Sequence, residues 1–169
     1  MLELTTADIE QLSDEDARTL VGLLCEAELE RMGQPTVLAN WGGHHNAADG
    51  GVDVRIRIPV YASCGGFPRH HCIYQVKRSD LSARKIQKEM RPSGKLRPAI
   101  HELASLNGAY ILVCSGKSLT DPTLRKRIAA MQDSLGESRE HVWTDYYDAS
   151  RLAGWVRKFP ALVAWVQTL

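Results

Sequence analysis

The sequence has no long apolar run. No stretch approaches the roughly 20 consecutive apolar residues of a membrane-spanning helix, although 44% of the 169 residues are hydrophobic. No membrane partner is therefore expected. Net charge is also scarce: 21 Lys and Arg against 20 Asp and Glu leave +1. Global charge thus excludes a strongly basic nucleic-acid binder, and any attraction to phosphate must come from local clusters. The four cysteines are Cys25, Cys64, Cys72 and Cys114. Cys25 and Cys114 sit inside apolar segments, where a free thiol behaves as a small hydrophobe. A disulfide framework is not expected, and with no secretory leader or lipidation motif in view the chain reads as cytoplasmic. Internal repeats, low-complexity tracts and a phosphate-binding glycine–lysine loop are missing too, which argues against a solenoid or an NTPase core.

What is present reads as one domain, residues 1–169, long enough to bury a real core. Residues 13–32 have helical periodicity. Ser13 is a candidate N-cap, and Asp14, Glu15 and Asp16 fill the first turn, where the helix dipole favours anions. Leu20, Val21, Leu24, Ala27 and Met32 share one face. Glu28 falls on that same face, while Glu26 points nearly opposite and Glu30 sideways. A carboxylate on a buried stripe is costly without a partner: an arginine would satisfy it, and so would a metal ion. After an irregular approach or short strand at 37–41 comes a loop over 42–51, rich in glycine and containing His44-His45. Residues 52–60 alternate, with Val52, Val54, Ile56 and Ile58 on one face and Asp53, Arg55 and Arg57 on the other, so a strand is predicted up to Pro59. A second strand is predicted at 72–78, where Gln75 and Lys77 share a face. Helices at 79–90 and 97–106, a strand at 110–115, a helix at 120–135, a short strand at 142–143 and helices at 150–158 and 160–168 follow. This order predicts an α/β fold with a mixed central sheet flanked by helices.

The chemistry concentrates in Asp49-Gly50-Gly51-Val52-Asp53-Val54 and, 22 residues beyond Asp53, in Gln75-Val76-Lys77. Phosphodiester hydrolysis needs an activated water, charge stabilisation on the phosphate and help for the leaving oxygen, much of which Mg²⁺ supplies. Mg²⁺ takes hard oxygen donors. Asp53 offers a carboxylate, Gln75 an amide oxygen, Val76 a backbone carbonyl and Glu28 a second carboxylate. Lys77 would orient or deprotonate the water, or steady the charge on phosphorus. A basic run follows, in which Arg78, Arg84, Lys85 and Lys88 are candidates for tracking a DNA backbone. Taken alone, such a run reads as a solvated helix face.

Glu28, Gly51-Val52-Asp53 and Gln75-Val76-Lys77 together resemble the PD-(D/E)XK nuclease superfamily, in its Mrr-like restriction endonuclease branch, where glutamine often stands in a Q-x-K motif. The resemblance covers roughly residues 13–115. It implies a restriction-endonuclease-like mixed sheet, double-stranded DNA as substrate, and Mg²⁺ or Mn²⁺ as cofactor. It makes Asp53 and Gln75 metal ligands, Lys77 the catalytic lysine and Glu28 the helix-borne acid, with Glu26 as the alternative. More narrowly, Trp41-Gly42-Gly43, residues 48–54 and Tyr74-Gln75-Val76-Lys77 resemble the N-terminal effector nuclease domains of Avs-type antiviral STAND ATPases. That implies a role in bacterial anti-phage defence, activation by homo-oligomerisation, and a fused or associated NTPase and sensor.

Glutamine brings no charge, so a catalytically weak or inactive DNA-binding module of the same fold is the alternative. Two other readings compete. Cys64, His70 or His71, Cys72 and a histidine of His44-His45 are ligand types for zinc, although their spacing matches no zinc motif. Cys64 or Cys72 with His70 or His71 is a nucleophile–base combination, but nothing nearby supplies an oxyanion hole or an orienting acid.

Overall fold

The computed structural model describes residues 3–42 and 51–169. The chain opens with a short helix, α1 (Thr6–Glu10), closed by a capping box between Thr5 and Asp8. The long helix α2 (Asp14–Arg31) starts where Ser13 accepts a hydrogen bond from the Asp16 N–H. It ends at Gly33, whose φ of +73° turns the chain at little steric cost. Strands β1 (Ala39–Trp41), β2 (Val54–Arg57) and β3 (His71–Lys77) follow, then helices α3 (Ala83–Met90) and α4 (Pro98–Ser105). Strand β4 (Ala109–Cys114), helix α5 (Asp121–Leu135), strand β5 (Trp143–Tyr147) and helices α6 (Ala149–Val156) and α7 (Pro160–Val166) complete the chain. No helix among the described residues is long and apolar enough to cross a membrane.

The fold is α/β: one five-stranded mixed sheet in the order β1-β2-β3-β4-β5, flanked by helices. The β1–β2 and β2–β3 pairs are antiparallel, and the β3–β4 and β4–β5 pairs are parallel. The sheet separates two apolar layers. On the first face Leu20, Val21 and Leu24 of α2, with Ile9, Leu152, Val156 and Val166, pack on Val54, Ile56, Tyr74, Val76, Ile111 and Val113. On the second face Ile86 and Met90 of α3, Ile100 and Leu103 of α4, and Met131 and Leu135 of α5 pack on Ile73, Tyr110, Leu112 and Tyr146.

This two-sided cover explains where the sequence pattern misleads. Strand β3 shows no clean alternation because residues 72–76 are all buried, as in any strand covered by helices on both sides. Val52 does not share the face of Val54 and Ile56. It precedes the first ladder pair and packs on the second layer instead. Strand β5 runs to Tyr147, well past the predicted 142–143, because its polar interior residues are partnered. Asp145 pairs with Arg151 at 2.7 Å, and the Tyr146 hydroxyl donates to Asp80 at 2.8 Å.

Candidate active site

Asp53 stands immediately before β2. Its N–H donates to the Tyr74 carbonyl at 3.0 Å, which locks the residue beside β3. Its Oδ2 accepts the Val76 N–H at 2.7 Å, and its Oδ1 lies 3.4 Å from Arg18 Nε. Burial pushes the Asp53 carboxyl above the ordinary aspartate range, against the Val76 N–H and the charges of Arg18 and Lys77. Asp53 is thus a carboxylate still short of positive charge.

Gln75 and Lys77 point to the second face, as their spacing predicts, and there they meet a residue that the sequence reading missed. Glu89, on α3, accepts from Gln75 Nε2, and its Oε1 lies 3.4 Å from Lys77 Nζ and 3.2 Å from Arg97 Nη2. Arg97 Nε also donates to the Glu89 carbonyl at 2.5 Å, tying the start of α4 to the end of α3. A carboxylate only accepts, so the Gln75 amide turns its NH₂ to Glu89 and its oxygen to the Tyr110 hydroxyl. Gln75 is 2% exposed and leaves little freedom in this arrangement. Gly51 closes the site from above. Its φ is +79°, and a Cβ there would lie 3.0 Å from Arg97 Nε and 3.1 Å from Gln75 Oε1. The positive φ favours glycine, and a side chain there would also press on Arg97 and Gln75.

Glu28 is not part of this cluster, and the prediction that it joins Asp53 is corrected. Helix α2 packs on the first face, with Glu28 next to the Gly65-Gly66 loop: a Cβ on Gly66 would be 2.6 Å from Glu28 Oε1. Gln75 and Lys77 point to the opposite face. Along α2, Arg18 is the residue that reaches Asp53, and Glu28 lies ten residues further, about 15 Å at the helical rise. The Glu28 carboxylate is buried, as its place on the apolar stripe predicts, and its partner is Arg31 Nε at 3.0 Å. Glu26 does not reach the site either, since it accepts from Trp41 Nε1 at 3.2 Å. The acid of α2 nearest to Asp53 is Asp14, whose Oδ1 accepts the Arg78 N–H at 2.8 Å and whose charge bears on Asp53.

Arg78, Arg84, Lys85 and Lys88 are all exposed. Lys85 lies four residues before Glu89 and so on the flank of α3 that borders the site. Arg84 turns the other way, lining a groove between α3 and α5 with Gln87, Arg91 and Asp133. The zinc reading gains no support, and of the cysteine–histidine combinations Cys64 and His70 do meet. Cys72 donates its thiol to the Arg69 carbonyl, and burial pushes it up to about 12, so it is neither a ready thiolate ligand nor a nucleophile. Cys64 meets His70 Nδ1 at 3.3 Å, and His70 Nε2 donates to the Ala62 carbonyl, which leaves Nδ1 to accept; burial, however, raises the Cys64 thiol. His44-His45, like Gly43 and residues 48–50, lies outside the described residues. Among the described residues no cluster of three or more His, Cys, Asp or Glu stands ready for a metal ion.

Comparison of the chain with protein-family models, with curated proteins and with solved structures finds no match. The site is therefore judged on its own chemistry. Asp53, the Gln75 amide oxygen and the Val76 carbonyl are hard oxygen donors on adjacent segments, and the charge deficit at Asp53 suits a divalent cation.

Proposed function

We propose that the chain is a metal-dependent endodeoxyribonuclease that hydrolyses double-stranded DNA. The observation that carries this reading is the meeting of Asp53 with Gln75-Val76-Lys77 at the end of the β2–β3 hairpin, backed by Glu89 and Arg97. Bound Mg²⁺, or Mn²⁺, would polarise a water and one phosphate oxygen. Asp53 and Gln75 would hold the ion, with the Val76 carbonyl as the third protein oxygen. Lys77 orients the attacking water and stabilises the charge that builds on phosphorus as the water oxygen bonds to it. The P–O bond to the leaving sugar oxygen then breaks; the attacking water gives up one proton to bulk solvent, and the leaving oxygen takes one from it. Glu89 holds Lys77 in place and, as a carboxylate on the same face, supplies the negative charge that Gln75 lacks. Exposed Lys85 on the adjoining flank of α3 suits a phosphate contact.

The resemblance to antiviral effector nucleases extends the proposal to anti-phage defence in the bacterial cytoplasm, with self-association bringing two sites onto the two strands. One observation favours the inactive alternative. Lys77 and Gln75 both engage Glu89, so substrate must compete with internal partners. Plasmid degradation in Mg²⁺ decides between them, with forced dimerisation as a second arm. The parent should cut, and Asp53→Ala and Lys77→Ala should lose at least a hundredfold in rate, on the order of one electrostatic or acid–base contribution. Equal behaviour of all three, clustered or not, would overturn the nuclease reading.

A further inference from the structure

The helices α3, α4 and α5 cover β3, β4 and β5 on the second face, while among the described residues no helix covers β1 and the outer half of β2 there. This open strip holds Asn40, Arg55 and Arg57. Asn40 is the ladder partner of Arg55, and Arg57 that of His71. With Val37, Leu38 and Ala39 they line a groove of about 440 Å³. The strip is positively charged with little compensation. Among the described residues Arg55 has one carboxylate, Glu102, at a loose 3.5 Å, and none pairs with the exposed Arg57. His71 reports the imbalance: burial first, then the charges of Arg57, His70 and Arg55, hold it below the ordinary histidine range despite Glu102.

Geometry links this strip to the site. Arg55 and Arg57 face the same side as their ladder partners Ile73 and His71, and so the same side as Gln75 and Lys77 of β3. Arg57 lies about 13 Å from Asp53 at the strand rise. That is about four base-pair rises measured along the axis of a duplex.

We propose that the open outer face of β1 and β2, through Asn40, Arg55 and Arg57, is the shelf on which the DNA sugar-phosphate backbone lies as it enters the Asp53 site. The inference rests on the nuclease reading and sharpens it, since it assigns the substrate track to the sheet as well as to α3. Charge complementarity selects the occupant: two under-compensated guanidinium forks match phosphate oxygens bidentately. Asn40 adds an amide between them without adding charge.

The test measures binding of a short fluorescent DNA duplex to the full chain across a salt series, with Ca²⁺ replacing Mg²⁺ to suppress cutting. Plasmid cleavage in Mg²⁺ is followed in parallel. Each phosphate contact contributes about 0.9 to the slope of log K against log salt. The Arg55→Ala/Arg57→Ala double variant should lose about 1.8 from that slope, Arg57→Lys should keep it, and Arg125→Ala on remote α5 should match the parent. Should the double variant bind with the parent's slope while the parent cuts DNA, the shelf is wrong and the nuclease reading stands. Should the slope fall as expected while parent and Asp53→Ala are equally inert on plasmid, forced dimerisation included, the shelf stands and the nuclease reading falls. A parent that binds no duplex overturns both, and one that prefers an RNA hairpin overturns the choice of DNA.

Discussion

Replacing Gln75 by glutamate would restore the charge that the Q-x-K motif lacks, and the structure says that the folded chain should resist it. The Gln75 Nε2 donates to the Glu89 carboxylate, and the residue is almost fully buried. Gln75→Glu removes that charge-assisted bond, a loss of about 1.5–3 kcal/mol. It also sets two carboxylates about 4 Å apart, a repulsion of about 4 kcal/mol at an effective dielectric constant of 20. Lys77 and Arg97 offset part of this, and the Tyr110 hydroxyl still finds an oxygen to donate to. A net cost of about 3 kcal/mol at pH 8 follows, equivalent to a melting temperature lower by about 6–12 °C for a chain of this size. The pH dependence has a definite sign. The pair holds a proton more tightly when folded than unfolded, so the deficit is absent below about pH 4 and grows as pH rises through the raised folded value. Thermal melts of parent and variant at pH 5 and pH 8 check this. Millimolar Mg²⁺ should raise the variant's melting temperature more than the parent's, because a cation relieves the repulsion. Equal melting at pH 8, or a deficit that widens on acidification, would refute the placement of Glu89 against Gln75.

Two further substitutions probe the layers that hold the site. A Cβ on Gly22 would lie 2.2–2.5 Å from the Trp41 indole, whose Nε1 is anchored to Glu26. Gly22→Ala should therefore lose up to about 2 kcal/mol, the overpacking of about 1–3 set against a helix gain of about 1, and a stabilised variant in urea denaturation would refute the contact. Asp80 takes a bidentate Arg127 at 3.0 and 3.2 Å and the Tyr146 hydroxyl at 2.8 Å. Burial alone would raise its carboxyl, but these bonds outweigh burial and hold it below the ordinary range. Its stabilisation is present above about pH 4 and fades as pH falls through the lower folded value. Asp80→Asn should cost about 1–2 kcal/mol at pH 7, and the gap should close in acid; a gap unchanged by acid would contradict the assignment.

Local patterns in the chain carried much of this arrangement. The Ser13 cap, the α2 stripe and the shared face of Gln75 and Lys77 each follow from a spacing of two to four residues, and each is found. Periodicity also put Glu28 on the buried side of α2. It did not say which face of the sheet α2 covers, and that one piece of topology moves Glu28 away from Gln75 and Lys77. Glu89 was hidden for the converse reason. It sits in a basic helix as a partly exposed acid, and only the return of α3 across β3 brings it to Lys77. The one sequence signal for it was its isolation: within residues 77–97, Asp80 and Glu89 are the only acids among eight basic residues. The short α1 went unread because its five residues carry too little periodicity to outweigh the loop alternative.

The clamp between Glu89 and Arg97 spans the break between α3 and α4, where Pro92–Gly94 forms a single tight turn and Ser93 adopts a φ of +59°. The Lys77 ammonium and the Gln75 amide are thus held by a segment outside the sheet. Local opening of that turn, which costs far less than unfolding the sheet, would free both side chains at once while β2 and β3 stay paired. Amide exchange through residues 89–97 should therefore report the opening that reconfigures the site, and a ligand that contacts Arg97 and pins this turn would hold the site without touching Asp53.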